Sequence, residues 1–185
     1  MVEPDTPLRV LFVCTANICR SPYLELRARQ LAAGSGIEFA SAGVRGHDHE
    51  PVSDTMAAEL HARGAEPNAI RRFRSRPLTA DLVGAADLVL TAEAAHRTRV
   101  LDEAPAAFRK VFTVGQFAQS VSRAPADLYG AAVLPSVGEH RATADPALDI
   151  ADPYRHGPAA AAVAADAIDA LLAEVLPRLT GKVTR

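Results

Sequence analysis

The sequence predicts an α/β fold: a single domain built on a four-stranded parallel sheet with helices on both faces and an anion-binding loop after the first strand. Three observations carry this. Four short apolar runs alternate with segments of helical spacing. Each run is rich in Val, Leu, Ile and Phe, as strands buried on both faces are. The chain is 185 residues long and 49% hydrophobic, enough for one substantial core.

The first strand is "RVLFV", and a helix follows from about Ser21. "IEFASAG" is the second strand, with a helix around "SDTMAAELHARG"; "ADLVLTA" is the third, followed by "EAAHRTRVLDEA"; "KVFTV" is the fourth. Strand, helix, strand repeats of this kind cross over right-handedly and put helices on both faces, with ligands gathering outside the carboxyl ends of the strands. Residues 119–146 are rich in Pro, Gly and Ala with weak periodicity, and read as an insertion, part loop and part helix. The last helix is expected from about Pro158 to Leu179, with Val163, Ile168, Leu171, Leu172, Val175 and Leu176 facing the sheet.

The stretch "VCTANICRSP", Val13 to Pro22, leaves the first strand and enters the first helix. A loop of this kind turns backbone N–H groups inward, and the helix dipole adds roughly half a positive charge at the same point, so an anion is favoured there. Arg20 has a planar fork that grips two phosphate oxygens, which Lys cannot match. The same field favours the thiolate of Cys14, and a hydrogen bond from Ser21 adds to it. Pro22 is preset for the first helical turn.

With 20 basic and 22 acidic residues the formal net charge is −2, so no global positive field points to nucleic acid. Both cysteines, Cys14 and Cys19, lie in this loop, which argues against a disulfide framework. "MVEPDTP" lacks a basic leader, and acids interrupt the apolar C-terminal segment, so no membrane partner and a cytoplasmic setting are expected. "GHDHE" at 46–50 lacks the distributed ligands of a zinc site. No metal or other cofactor is expected, and His47 and His49 are read as active-site rim or as a solvated loop. Arg71, Arg72, Arg74 and Arg76 are read either as a solvated segment with paired acids or as a docking patch for acidic residues beside a phosphorylated side chain. His96 is expected to pack or cap rather than to act in catalysis.

The full string V-C-T-A-N-I-C-R-S-P resembles the active-site loop of low-molecular-weight protein tyrosine phosphatases. "DPY" at Asp152, Pro153 and Tyr154 is similar to that family's general-acid motif, and "SAGV" (Ser41 to Val44) and "ADLVLTAEAAHR" (Ala86 to Arg97) are similar to family segments. The resemblance implies hydrolysis of phosphotyrosine on proteins, or of small aryl phosphates, without metal. Cys14 would be the nucleophile, Arg20 the phosphate clamp and Asp152 the general acid. Thr15, Ala16, Asn17, Ile18, Cys19 and Ser21 would line the phosphate cradle, Tyr154 would wall the phenyl cleft, and Asn17 with Ser41 would brace the loop. Phosphate or vanadate would inhibit.

Several departures from the family pattern bear on this. Ala16 replaces a more usual glycine, which excludes backbone conformations reserved to glycine and predicts mild effects. Phe73 stands where many relatives carry a histidine of the bracing network, which predicts a looser loop. The chain before "DPY" is long, and Asp145 with Pro146 offers a second Asp-Pro. Asp152 is preferred because Tyr154 follows it. Cys19 is read either as a thiol that condenses with an oxidised Cys14 or as a small buried side chain. Three rival functions are weighed. A phosphate or phosphopeptide reader would keep the cradle without turnover. An arsenate reductase needs further cysteines, and none follows Cys19. A phosphoarginine phosphatase typically has Thr where Ile18 stands.

Overall fold

The computed structural model describes residues 7–46 and 48–181. Four strands, β1 (Arg9–Cys14), β2 (Glu38–Gly43), β3 (Leu88–Thr91) and β4 (Val111–Thr113), form one sheet in the order β2-β1-β3-β4. All three pairings are parallel. The helices are α1 (Arg20–Leu31), α2 (Asp54–Ala62), α3 (Pro67–Arg72), α4 (Ala80–Ala85), α5 (Ala94–Glu103), α6 (Val114–Arg123), α7 (Val133–Glu139) and α8 (Gly157–Thr180).

Alternation along β1 sends its side chains to two separate cores. Val10 and Phe12 join the large cluster that also holds Leu24, Met56, Phe117, Ile168 and Leu172, from α1, α2, α6 and α8. Leu11 and Val13 join a smaller cluster with Val83, Val89, Val100 and Val111, on the face covered by α4 and α5. The apolar runs of the sequence are therefore strands buried from both sides.

The chain leaves β1 towards one edge for β2 and continues beyond the other side of β1 for β3. That reversal opens a crevice between the carboxyl ends of β1 and β3. The loop at 14–20 fills one wall of the crevice and the start of α5 forms the other.

One reading of the sequence needs correction. Val163 is 64% exposed and does not face the sheet. The buried stripe of α8 begins on Ala161, Ala164 and Ala165 before reaching Ile168, Leu172, Val175 and Leu176, so small side chains set the contact face in its first turns. Residues 119–146 are part helix and part loop: α6 runs to Arg123 with Phe117, Ala118 and Val121 buried, and α7 sends Val133 and Val137 into the same core.

Candidate active site

Cys14 ends β1 with its thiol buried, 3.0 Å from Ser21 Oγ. Asn17 donates from Nδ2 to that same hydroxyl (2.9 Å), whose one proton is shared between the Cys14 sulfur and the Ala42 carbonyl at 3.4 Å. Asn17 is fully buried at φ 57°, a left-handed conformation that Asn tolerates better than most residues. Its Nδ2 also donates to Ser41 Oγ (2.8 Å), and its Oδ1 accepts from the Arg76 amide (3.0 Å). Ser41 Oγ in turn donates to Glu25 Oε2 at 2.6 Å, and burial pushes the Glu25 carboxyl above its ordinary range. Asn17 and Ser41 thus tie the loop to β2 and α1. Phe73 supplies no hydrogen bond to this network, and the Arg76 main chain closes it instead.

The loop lies against β2 at Gly43. A Cβ there would stand 2.8 Å from Ala16 C, 2.9 Å from Asn17 N and 2.9 Å from Thr15 O, all backbone atoms, so only glycine lets the two segments touch. Ala16 itself keeps an ordinary negative φ, being absent from the left-handed residues. The carbonyls of Cys14, Thr15 and Ile18 accept from Val44, Arg45 and Ser53. Among the described residues, the amides of residues 15–19 donate to no protein acceptor. A turn whose carbonyls face outward and whose amides are free is an anion nest.

Arg20 opens α1 and is 1% exposed. Its Nη1 donates to the Ile150 carbonyl (2.9 Å) and is ion-paired with Glu93, just before α5. Its buried Nε has no protein partner, and Nη2 reaches Thr15 Oγ1 at 3.4 Å and Asp152 Oδ2 at 3.1 Å. One corner of the guanidinium is therefore tethered, and the Nε/Nη2 edge is the fork available to two oxygens of an anion.

Asp152 reaches this edge from the segment before α8. That segment is pinned by the Ile150 amide on the Ala92 carbonyl (2.9 Å) and by Asp149, whose two oxygens accept from the Ala94 amide at 3.0 and 3.2 Å. Burial raises the Asp149 pKa above its ordinary value. Cys14, Thr15, Ala16, Ile18, Cys19, Arg20, Asp152 and Tyr154 line one cavity of 140 Å³. Asp145 lies elsewhere, accepting from the Ala147 amide (2.9 Å) as the cap of a short turn. Tyr154, 44% exposed, stands at the mouth. None of residues 119–146 lines this cavity.

His49 is exposed, pairs with Asp48 and does not line the cavity; the rim reading of His47 falls outside the described residues. Three neighbours of the site were not singled out from the sequence as functional: Glu93, Asp149 and His96. His96 is 4% exposed, and its Nε2 lies 2.8 Å from Thr15 Oγ1. Burial lowers its pKa, against the opposing pull of Glu93. Cys19 is buried with Sγ 3.2 Å from Ser53 Oγ, and burial pushes its thiol pKa up.

The family model described as low molecular weight phosphotyrosine protein phosphatase matches residues 9–130 of the chain. The chain belongs to that family. Its members are cysteine-dependent, metal-independent enzymes that act on phosphorylated substrates. Among curated relatives, the protein-arginine-phosphatase of Geobacillus stearothermophilus is 33% identical over 126 residues, 67% of this chain and 80% of the relative. The low molecular weight protein-tyrosine-phosphatase Etp of Escherichia coli K12 is 36% identical over 110 residues, 58% of this chain and 70% of Etp. The solved YwlE arginine phosphatase of G. stearothermophilus superposes with a TM-score of 0.75 at 26% identity, covering 95% of this chain and 94% of its own. The low molecular weight phosphatase of T. tengcongensis gives 0.71 at 26% identity, covering 93% and 99%. The four-stranded parallel architecture is thus shared with this family. Among the described residues, no helix is long and apolar enough to cross a membrane.

Proposed function

We propose that this phosphatase hydrolyses phosphotyrosine on proteins, and small aryl phosphates, through a cysteinyl-phosphate. The observation that carries the reading is the meeting of a thiol, a guanidinium whose Nε has no protein partner and whose Nη2 faces the Asp152 carboxyl, and that carboxyl itself, around one cavity whose floor is a nest of free amides. Cys14 sulfur attacks phosphorus as the bond to the aryl oxygen breaks, and Asp152 gives its proton to the departing phenolate. Water then attacks phosphorus, the S–P bond breaks, and Asp152 takes the water proton as inorganic phosphate forms. Arg20 and the amides hold the equatorial oxygens in both steps, so stabilisation is electrostatic and prepaid in the fold. Inorganic phosphate and vanadate would compete for the same cradle.

The substrate class rests on the wall above the cradle. Ile18 and Tyr154 offer apolar surface to an aromatic ring. Relatives named as arginine phosphatases favour a second reading, phosphoarginine, for which the threonine expected at position 18 is absent. The test compares kcat/KM on a phosphotyrosine peptide, on the matching phosphoarginine peptide and after Ile18→Thr. Preference for phosphotyrosine, reduced by Ile18→Thr, supports the proposal; preference for phosphoarginine in the wild type overturns the substrate class. Equal turnover above background by wild type and Cys14→Ser overturns the covalent route, and hydrolysis at background in both leaves a reader of phosphorylated ligands.

A further inference from the structure

A second cavity, of 370 Å³, opens between α1, β2 and the segment that follows α3. Its walls carry Arg29, Arg72, Arg74 and Arg76, with Ser41 and Glu25 at its floor. Arg29 is accounted for: it is paired with Glu25 (2.7 Å) and donates to the Phe39 carbonyl. Glu25 is buried, engaged by Arg29 and Ser41 and also felt by the Arg76 charge, so this single acid is set against several arginines in the cavity.

The remaining three arginines are different. Among the described residues none of them has a carboxylate within ion-pair distance, Arg72 and Arg74 are exposed, and only Arg76 lies close enough to an acid, Glu25, for its charge to act on that carboxyl. Arg74 donates only from Nη1, to the carbonyls of Arg71 and Phe73, and the Arg76 side chain donates only from Nε, to the Ser41 carbonyl. Nη2 of Arg74, both terminal nitrogens of Arg76 and the whole fork of Arg72 are left over. Guanidinium groups that outnumber the acids around them repel one another, and several forks lining one concavity match an anion with many oxygens. A concave pocket suits a compact ligand better than an extended chain.

We propose that this cavity is a second anion site, separate from the catalytic loop, and that it takes a phosphate chain of two or more linked phosphoryl groups. The chain is either inorganic or borne on a nucleotide. The two sites share a wall, because Ser41 and the Arg76 amide both hold Asn17. The inference stands whether or not the catalytic loop prefers phosphotyrosine.

The test follows the amide resonances of the full-length protein, with orthovanadate saturating the catalytic loop, during titration with tripolyphosphate, ATP or a hexaglutamate peptide. Saturable shifts at Ser41 and across residues 69–76 are expected with tripolyphosphate. An Arg72→Glu/Arg74→Glu variant should bind about tenfold more weakly or worse while hydrolysing an aryl phosphate at the wild-type rate, which also reports correct folding. Tighter binding of ATP identifies a nucleotide as the source of the chain, tighter binding of tripolyphosphate an inorganic one, and either supports the site. Shifts confined to residues 14–21, or indifferent to the double variant, overturn it. Hexaglutamate binding these residues more tightly than tripolyphosphate also overturns it, in favour of an acidic protein segment.

Discussion

Replacing His96 by Asn tests how far the loop depends on the wall opposite. The imidazole is buried and shares a 2.8 Å hydrogen bond with Thr15 Oγ1, which also accepts from Arg20 at 3.4 Å. A hydrogen bond between neutral groups is worth about 1 kcal/mol net. If it orients Thr15 beside the clamp during turnover, its loss lowers kcat/KM roughly fivefold. Asn is shorter and should not reach. Thr15→Val removes the other partner with little change of shape, so the double variant should show a coupling of about 1 kcal/mol. The pH dependence has a definite sign. Burial holds the folded pKa of His96 below the unfolded value of about 6.5, so below that pH the unfolded chain binds more protons and stability falls. Glu93, Asp152 and Arg20 act on the same imidazole and stay in the variant. Thermal midpoints of wild type and His96→Asn should therefore run parallel above about pH 7.5 and converge as pH drops through about 6.5. Zero coupling with Thr15→Val, together with parallel midpoints from pH 5 to 8, would refute the reasoning.

Gly43→Ala forces a methyl group against three backbone atoms of the loop, and should cost about 2 kcal/mol or more of stability together with most of the phosphate affinity; denaturant unfolding and phosphate titration read both. Asp149→Ala removes the tether on the Ala94 amide and lets the Asp152 segment loosen, so kcat should fall about tenfold with KM for an aryl phosphate changed less. A return to wild-type kcat in Asp149→Asn, which keeps an acceptor, would mark a positioning role. Peroxide should inactivate wild type reversibly by thiol and Cys19→Ser irreversibly, if Cys19 captures the oxidised Cys14; equal recovery on reduction of both proteins would leave Cys19 a packing residue.

The strands were legible because a doubly covered parallel sheet makes each one a continuous apolar run, and the loop because a thiol, an arginine and a helix start fall within one short string. What escaped the sequence depends on tertiary approach. Glu93 and His96 lie more than seventy residues from the loop, and only the β1–β3 neighbourhood brings them to Arg20 and Thr15. Asp149 gave no pattern because it caps a helix that it does not precede. Gly43 was visible as a glycine, but not as the point where two backbones touch. On α8, Val163 was assigned inward on hydrophobicity, whereas the helix packs its alanines there to come close. Phe73 suggested a weakened brace because a main-chain donor, the Arg76 amide, leaves no trace in side-chain identity.

The central claim is that Cys14 sulfur carries the phosphoryl group between the two steps. Rapid acid quenching of wild type and Asp152→Ala during turnover of an aryl phosphate, followed by peptide mass analysis, tests it directly. The account predicts one phosphoryl group on the peptide containing Cys14, with a larger fraction in Asp152→Ala under a good leaving group, because water is then activated poorly. Turnover at the normal rate with no phosphoryl group on that peptide, or its appearance on another residue, contradicts it.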